Sequence, residues 1–143
     1  MTASSAPGPN LRLRILNLTR QTELAANAEK AGTGVARRKG LLGRTGLPSG
    51  GGLWIVPCES VHTFFMKFPI DLVYIDRNRK VKKVRNNVRP WRLSACLSAH
   101  SIIELPVGAI SGSQTMPGDK LEFVTLDSSE QFTSAQEIVQ SNT

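Results

Sequence analysis

The stretch Pro57-Cys58-Glu59-Ser60-Val61-His62-Thr63-Phe64-Phe65-Met66-Lys67-Phe68-Pro69-Ile70-Asp71-Leu72-Val73-Tyr74-Ile75-Asp76 decides the fold. In its second half Ile70, Leu72 and Tyr74 point one way while Asp71, Val73 and Ile75 point the other. Apolar cover on both faces predicts a central strand over residues 70–76. Upstream, 63–66 reads as another strand, with Pro69 separating the two at a bend or bulge. The stretch also holds one of two cysteines, one of two histidines and the only tyrosine, so site chemistry is expected to involve it.

Downstream, Arg77-Asn78-Arg79 predicts a tight turn into a basic, irregularly alternating strand over 80–88, bulged or at a sheet edge. Residues 90–100 read as an irregular loop, and Ile102-Ile103-Glu104-Leu105 as a strand closed by Pro106. A helical turn is predicted within 107–112. Met116-Pro117-Gly118-Asp119 fits a type II turn, with Pro fixing φ and Gly accepting a positive φ, and leads to a last strand over 121–126.

Upstream, Leu53-Trp54-Ile55-Val56 is a strand ended by Pro57, after a loop over 46–52. One or two helical turns are expected within 35–44. Residues 22–31 are Ala-rich, with Thr22 as a candidate cap, and predict a short surface helix. Residues 11–18 alternate as a half-buried strand. The sum is an α+β fold: a β-rich single domain over 11–126, its curled mixed sheet forming a small barrel or sandwich with two or three short helices. Residues 1–10 and 127–143 read as a flexible N-terminus and a flexible polar tail.

A chain of 143 residues has room for one core. No apolar run approaches the roughly 18 residues of a membrane span, and 1–10 lack the features of a secretory leader. A soluble, cytoplasmic monomer is expected. Cys58 and Cys96 form no Cys-x-x-Cys pair, so reduced thiols are the expectation, and whether they pair stays open. The net charge is +7, and no acidic residue lies between Arg77 and Ile103, so one face should be electropositive.

Five motifs, Gly40-Leu41-Leu42-Gly43-Arg44, Gly52-Leu53-Trp54-Ile55, the run from His62 to Asp76, Glu104-Leu105-Pro106-Val107-Gly108 and Gly118-Asp119, together resemble the bacterial and archaeal family called domain of unknown function 192. The resemblance covers roughly residues 35–126, with 22–31 and the acidic tail as additions. It implies a β-rich fold with short helices and no established activity, catalytic residue or cofactor.

The residues themselves leave several readings open. A non-enzymatic binding module would present His62, Met66, Trp91 and Arg92 to a small ligand, glycan or protein segment. A polyanion or nucleic-acid binder would use Arg79, Lys80, Lys82, Lys83 and Arg85, which a solvated edge strand explains equally. A thiol or metal-dependent hydrolase would centre on Cys58 and His62. Extended backbone separates those two by roughly 13 Å, and no third orienting group accompanies them. Cys58, His62, Met66 and His100 have no recognised zinc spacing, so no metal site and no cofactor are expected. Asp71, on a face shared with Val73 and Ile75, is read as a buried tie that accepts backbone N–H groups or pairs with Arg44 or Arg92.

Overall fold

The computed structural model describes residues 11–126; the two segments read as flexible ends, 1–10 and 127–143, lie outside the described residues. The elements in chain order are β1 (Arg12–Asn17), β2 (Thr22–Ala31), α1 (Gly34–Lys39), β3 (Gly51–Ile55), β4 (Ser60–His62), β5 (Ile70–Ile75), β6 (Val81–Val88), β7 (Leu93–Ala95), β8 (Ser101–Leu105), α2 (Ala109–Ser113) and β9 (Leu121–Thr125). Seven strands form one sheet in the order β6-β5-β8-β3-β2-β1-β9, and β4 pairs with β7 in a separate ribbon. Only β2 and β3 run parallel within the large sheet, which is therefore mixed.

The sheet curls until its two edges touch. Lys80 and Lys120 form an isolated antiparallel bridge, and the Leu121 N–H donates to the Arg79 carbonyl at 2.9 Å while Val81 N–H donates to Asp119 at 2.8 Å. The meeting point is set by the turn over 116–119, where Gly118 has φ +95° and Asp119 N–H donates to the Met116 carbonyl. The result is a half-barrel with two short helices, mostly β and curled as the strand pattern predicts. None of these helices is long and apolar enough to cross a membrane.

Strand alternation divides the core in two. Ile15, Ala28, Val73, Ile103 and Leu121 pack together on the face where strands from across the whole sheet meet, with Ile110 of α2 among them. Leu41, Ile55, Met66, Leu72, Tyr74 and Ile102 pack on the other face. Each fully buried aliphatic side chain contributes about 1.5–3 kcal/mol of transfer free energy. β5 is buried at every position, as its two-sided apolar pattern requires.

Three local expectations are corrected. Residues 22–31 are not a surface helix but the ten-residue strand β2. Ladders on both sides, antiparallel to β1 and parallel to β3, override its alanine-rich helix propensity. The small residues serve the curl instead: Ala28 is paired with Gly52, where a Cβ would stand 3.0 Å from Leu105 Cδ2 and 3.2 Å from the Glu104 carbonyl. Residues 63–66 are a turn, the strand lying just before them in β4. Finally, 90–100 contain β7, which pairs Leu93 with His62 and Ala95 with Ser60.

Candidate functional site

Between Leu53 of β3 and Leu72 of β5, the central strand β8 presents Glu104. Ile102 and Glu104 share a face by strand parity, so the carboxyl enters the core half that contains Leu41, Met66 and Tyr74. It is 4% exposed, and its Oε2 has no hydrogen-bond partner among the described residues. Burial pushes its pKa up to about 7, only partly offset by the Arg44 guanidinium. Arg44 is itself bonded to Glu29 at 2.9 Å, so it does not neutralise Glu104.

Glu104 lines a cavity of about 120 Å3. Leu41, Ile55 and Met66 supply apolar wall, Cys58 and His62 bring polar groups from β4 and its approach, and Arg37, Arg38 and Lys39 come from α1. Thr33 positions α1 by accepting the Ala36 N–H at its N-terminus, which leaves the three cations in the last turn. At roughly 30 Å3 per water the space holds about four waters or one very small solute.

Beyond His62, outside the cavity lining, lies an aromatic cluster. His62 and Phe64 rings lie 5.1 Å apart, Phe64 stacks on Trp91 at 5.8 Å, and Phe65 meets Trp91 edge-on at 4.7 Å. Phe65 is 71% and Trp91 56% exposed. Both have left-handed backbone, with φ of 64° and 66°, a conformation that costs bulky residues of order 1–3 kcal/mol and clusters at functional sites. Thr63 holds it in place: its carbonyl accepts from Trp91 and Met66, while its buried hydroxyl donates to Arg89 O at 2.7 Å and accepts from Arg92 N–H at 2.8 Å.

The structure brings Cys58, His62 and Met66 to one cavity, with Trp91 and Arg92 beyond the His62 rim. Cys58 donates its thiol to the Ser60 carbonyl at 3.1 Å, and burial pushes the thiol up from its ordinary value. A raised thiol is a poor nucleophile at neutral pH. Iodoacetamide at pH 7 should therefore alkylate Cys58 no faster than glutathione, read by intact mass; selective labelling within seconds would indicate an activated thiolate. Among the described residues no group of three His, Cys, Asp or Glu side chains is placed to hold a metal ion. His100 meets this region through its carbonyl, which accepts the Cys58 N–H.

Asp71 lies elsewhere. One residue of parity turns it to the opposite face from Glu104, where it is 0% exposed and accepts N–H groups from Asn87 at 2.9 Å and from Gly108 and Ile110 at 3.1 Å. Arg44 pairs with Glu29, and the Arg92 guanidinium donates to Trp91 O. In the basic strand, Arg79 lies over Trp54 and Phe123, Lys83 donates to Ala95 O, and Arg85 reaches Ser94. Lys80 and Lys82 are exposed. A larger open groove of about 600 Å3 beside α2 has, among the described residues, Glu23 as its one titratable residue, already paired with Arg14.

Glu104 and the α1 cations are the site residues that sequence reasoning missed. The available signal was a carboxylate in a strand whose neighbours are all apolar, Ile102-Ile103-Glu104-Leu105.

A family profile described as "Uncharacterized ACR", domain of unknown function 192, matches residues 16–123. UPF0127 proteins of Pyrococcus abyssi and Pyrococcus furiosus are each 30% identical, over 78% and 76% of this chain and 97% of theirs. Among solved structures, a Sinorhizobium meliloti protein described as a candidate transcription regulator superposes with TM-score 0.70 at 20% identity, over 84% of this chain and 98% of that one. A Novosphingobium aromaticivorans protein of unknown function gives TM-score 0.64 at 19% identity, over 85% and 91%. At such identities the likeness is one of fold. The profile match includes β2, so residues 22–31 are part of the common pattern rather than an addition.

Proposed function

The chain belongs to the uncharacterised domain-of-unknown-function 192 family, and from that premise we propose that it is a non-enzymatic binding module for a small polar ligand. The observation that carries this reading is the unpartnered Oε2 of buried Glu104 beside a cavity. A buried ionisable group without partners destabilises a fold. Such groups are kept where a ligand completes them.

Two further features support the reading. The strained Phe65 and Trp91 backbone is fixed by Thr63, the residue after the cavity-lining His62, and a pre-organised neighbouring surface reduces the entropy lost on binding. The polyanion reading has less support, because Arg79, Lys83 and Arg85 are already engaged with protein groups.

The test is a set of amide NMR spectra with single solutes of up to about six heavy atoms, drawn from acids, amines, amides and alcohols. At least one solute class should shift the amides of Cys58, His62, Met66 and Glu104 in a saturable way. Shifts confined to other surfaces, or none with any class, would contradict the proposal.

A further inference from the structure

The Glu104 cavity has two electrical poles. Its inner end carries one carboxyl, set among Leu53, Leu72 and Ile102. Its α1 side carries Arg37, Arg38 and Lys39 in succession, and α1 has no acidic residue in its first turn. Arg38 and Lys39 are exposed, and Arg37 donates to the Gly32 carbonyl at 2.8 Å. The walls between the poles mix Leu41, Ile55, Val61 and Met66 with Cys58, Ser60 and His62, and the space is about 120 Å3.

Resting on the reading above, we propose that the ligand is a small zwitterion of amino-acid size, its ammonium group on the Glu104 carboxylate and its carboxylate toward Arg37, Arg38 and Lys39. Three facts select this class. The unpartnered oxygen calls for a donor, and an ammonium group offers three. A charge-assisted bond to a carboxyl that is only 4% exposed is worth more than one at the surface. The basic groups then complement the other end of the same molecule, which a simple amine leaves unused and a simple carboxylate satisfies alone.

A space of about 120 Å3 accommodates a glycine or alanine skeleton. Orientation follows from the poles. Reversal would set the ligand carboxylate against Glu104 and its ammonium against three cations, a like-charge arrangement at both ends.

The charged and titratable groups lining the cavity with Glu104 are Arg37, Arg38 and Lys39 from α1 and Cys58 and His62 from β4 and its approach, and Arg44 from the loop after α1 is the cation that acts on Glu104. The experiment titrates the full chain with glycine, methylammonium and acetate at pH 6 and pH 8, followed by amide NMR at the cavity residues. Glycine should bind tightest of the three, and about tenfold more weakly at pH 6. One unit below a pKa of about 7 only a tenth of Glu104 is ionised.

Glu104→Gln should weaken glycine at least tenfold at pH 8 and abolish the pH step, while His62→Gln keeps the step. Replacing Arg37, Arg38 and Lys39 together by Gln should weaken glycine but not methylammonium. Acetate binding more tightly than glycine, or a pH step surviving Glu104→Gln, would overturn the zwitterion while leaving a small-ligand site in place. No saturable shift at the cavity with any of the three probes, together with none in the wider solute set, would overturn both.

Discussion

Asp71→Asn is expected to destabilise the fold by about 3 kcal/mol, roughly 10 °C in melting temperature for a domain of this length. The carboxylate ties β5 to two other chain segments: the end of β6 through Asn87, and the start of α2 through Gly108 and Ile110. Asparagine keeps one acceptor but turns an NH2 group toward backbone donors. At least one buried N–H then loses its partner, at about 1–3 kcal/mol. The surviving bonds also lose their charge assistance, about another 1 kcal/mol in total. Thermal and urea denaturation both read the effect. An unchanged midpoint would mean that the tie carries no stability.

Glu104→Gln should do the opposite at alkaline pH, raising stability by about 3 kcal/mol at pH 8 and by nearly nothing at pH 4. The unfolded carboxyl titrates near 4.5, while burial moves the folded one to about 7. Between those values the native state holds more protons than the unfolded state, so stability falls as pH rises through the window. The loss is complete above about pH 7, when a charge must be kept in an apolar setting. Glutamine has the same shape and never ionises. Urea midpoints of both proteins at the two pH values measure the difference, and equal pH dependence would show that Glu104 is solvated or paired in solution. A residue whose removal stabilises the fold belongs with features retained for binding rather than for folding.

The two carboxylates also show what the chain makes legible. The pleat reading places Asp71 opposite Leu72 and Tyr74, because a two-residue period is visible wherever both faces are apolar. Its three N–H partners come from residues 16 to 39 positions away, and no local pattern carries that information. Glu104 lies in an equally readable strand, yet only the packing of α1 and β4 over β8 turns it from a polar interruption into a site. The curled sheet follows from many short strands broken by Pro and Gly. β2 was illegible because its alanines are helix formers in isolation and become strand residues only where Gly52 and the neighbouring ladders demand small side chains. β7 was hidden for a related reason: three residues, Leu93–Ala95, acquire their register from β4 alone.

The apolar and aromatic residues divide in the same way. Trp54 and Tyr74 are core residues with buried hydroxyl partners, Ser101 at 2.9 Å and Ser94 at 2.6 Å. Phe65 and Trp91 are held out by positive φ, a backbone choice that side-chain patterning does not encode.

The most direct measurement on this account is a pH titration of the Glu104 carboxyl carbon by 13C NMR in the ligand-free protein, assigned with Glu104→Gln. The structure predicts a midpoint of about 7. A midpoint near 4.5 would mean that the carboxyl is hydrated or paired, and would remove the basis for a ligand site there.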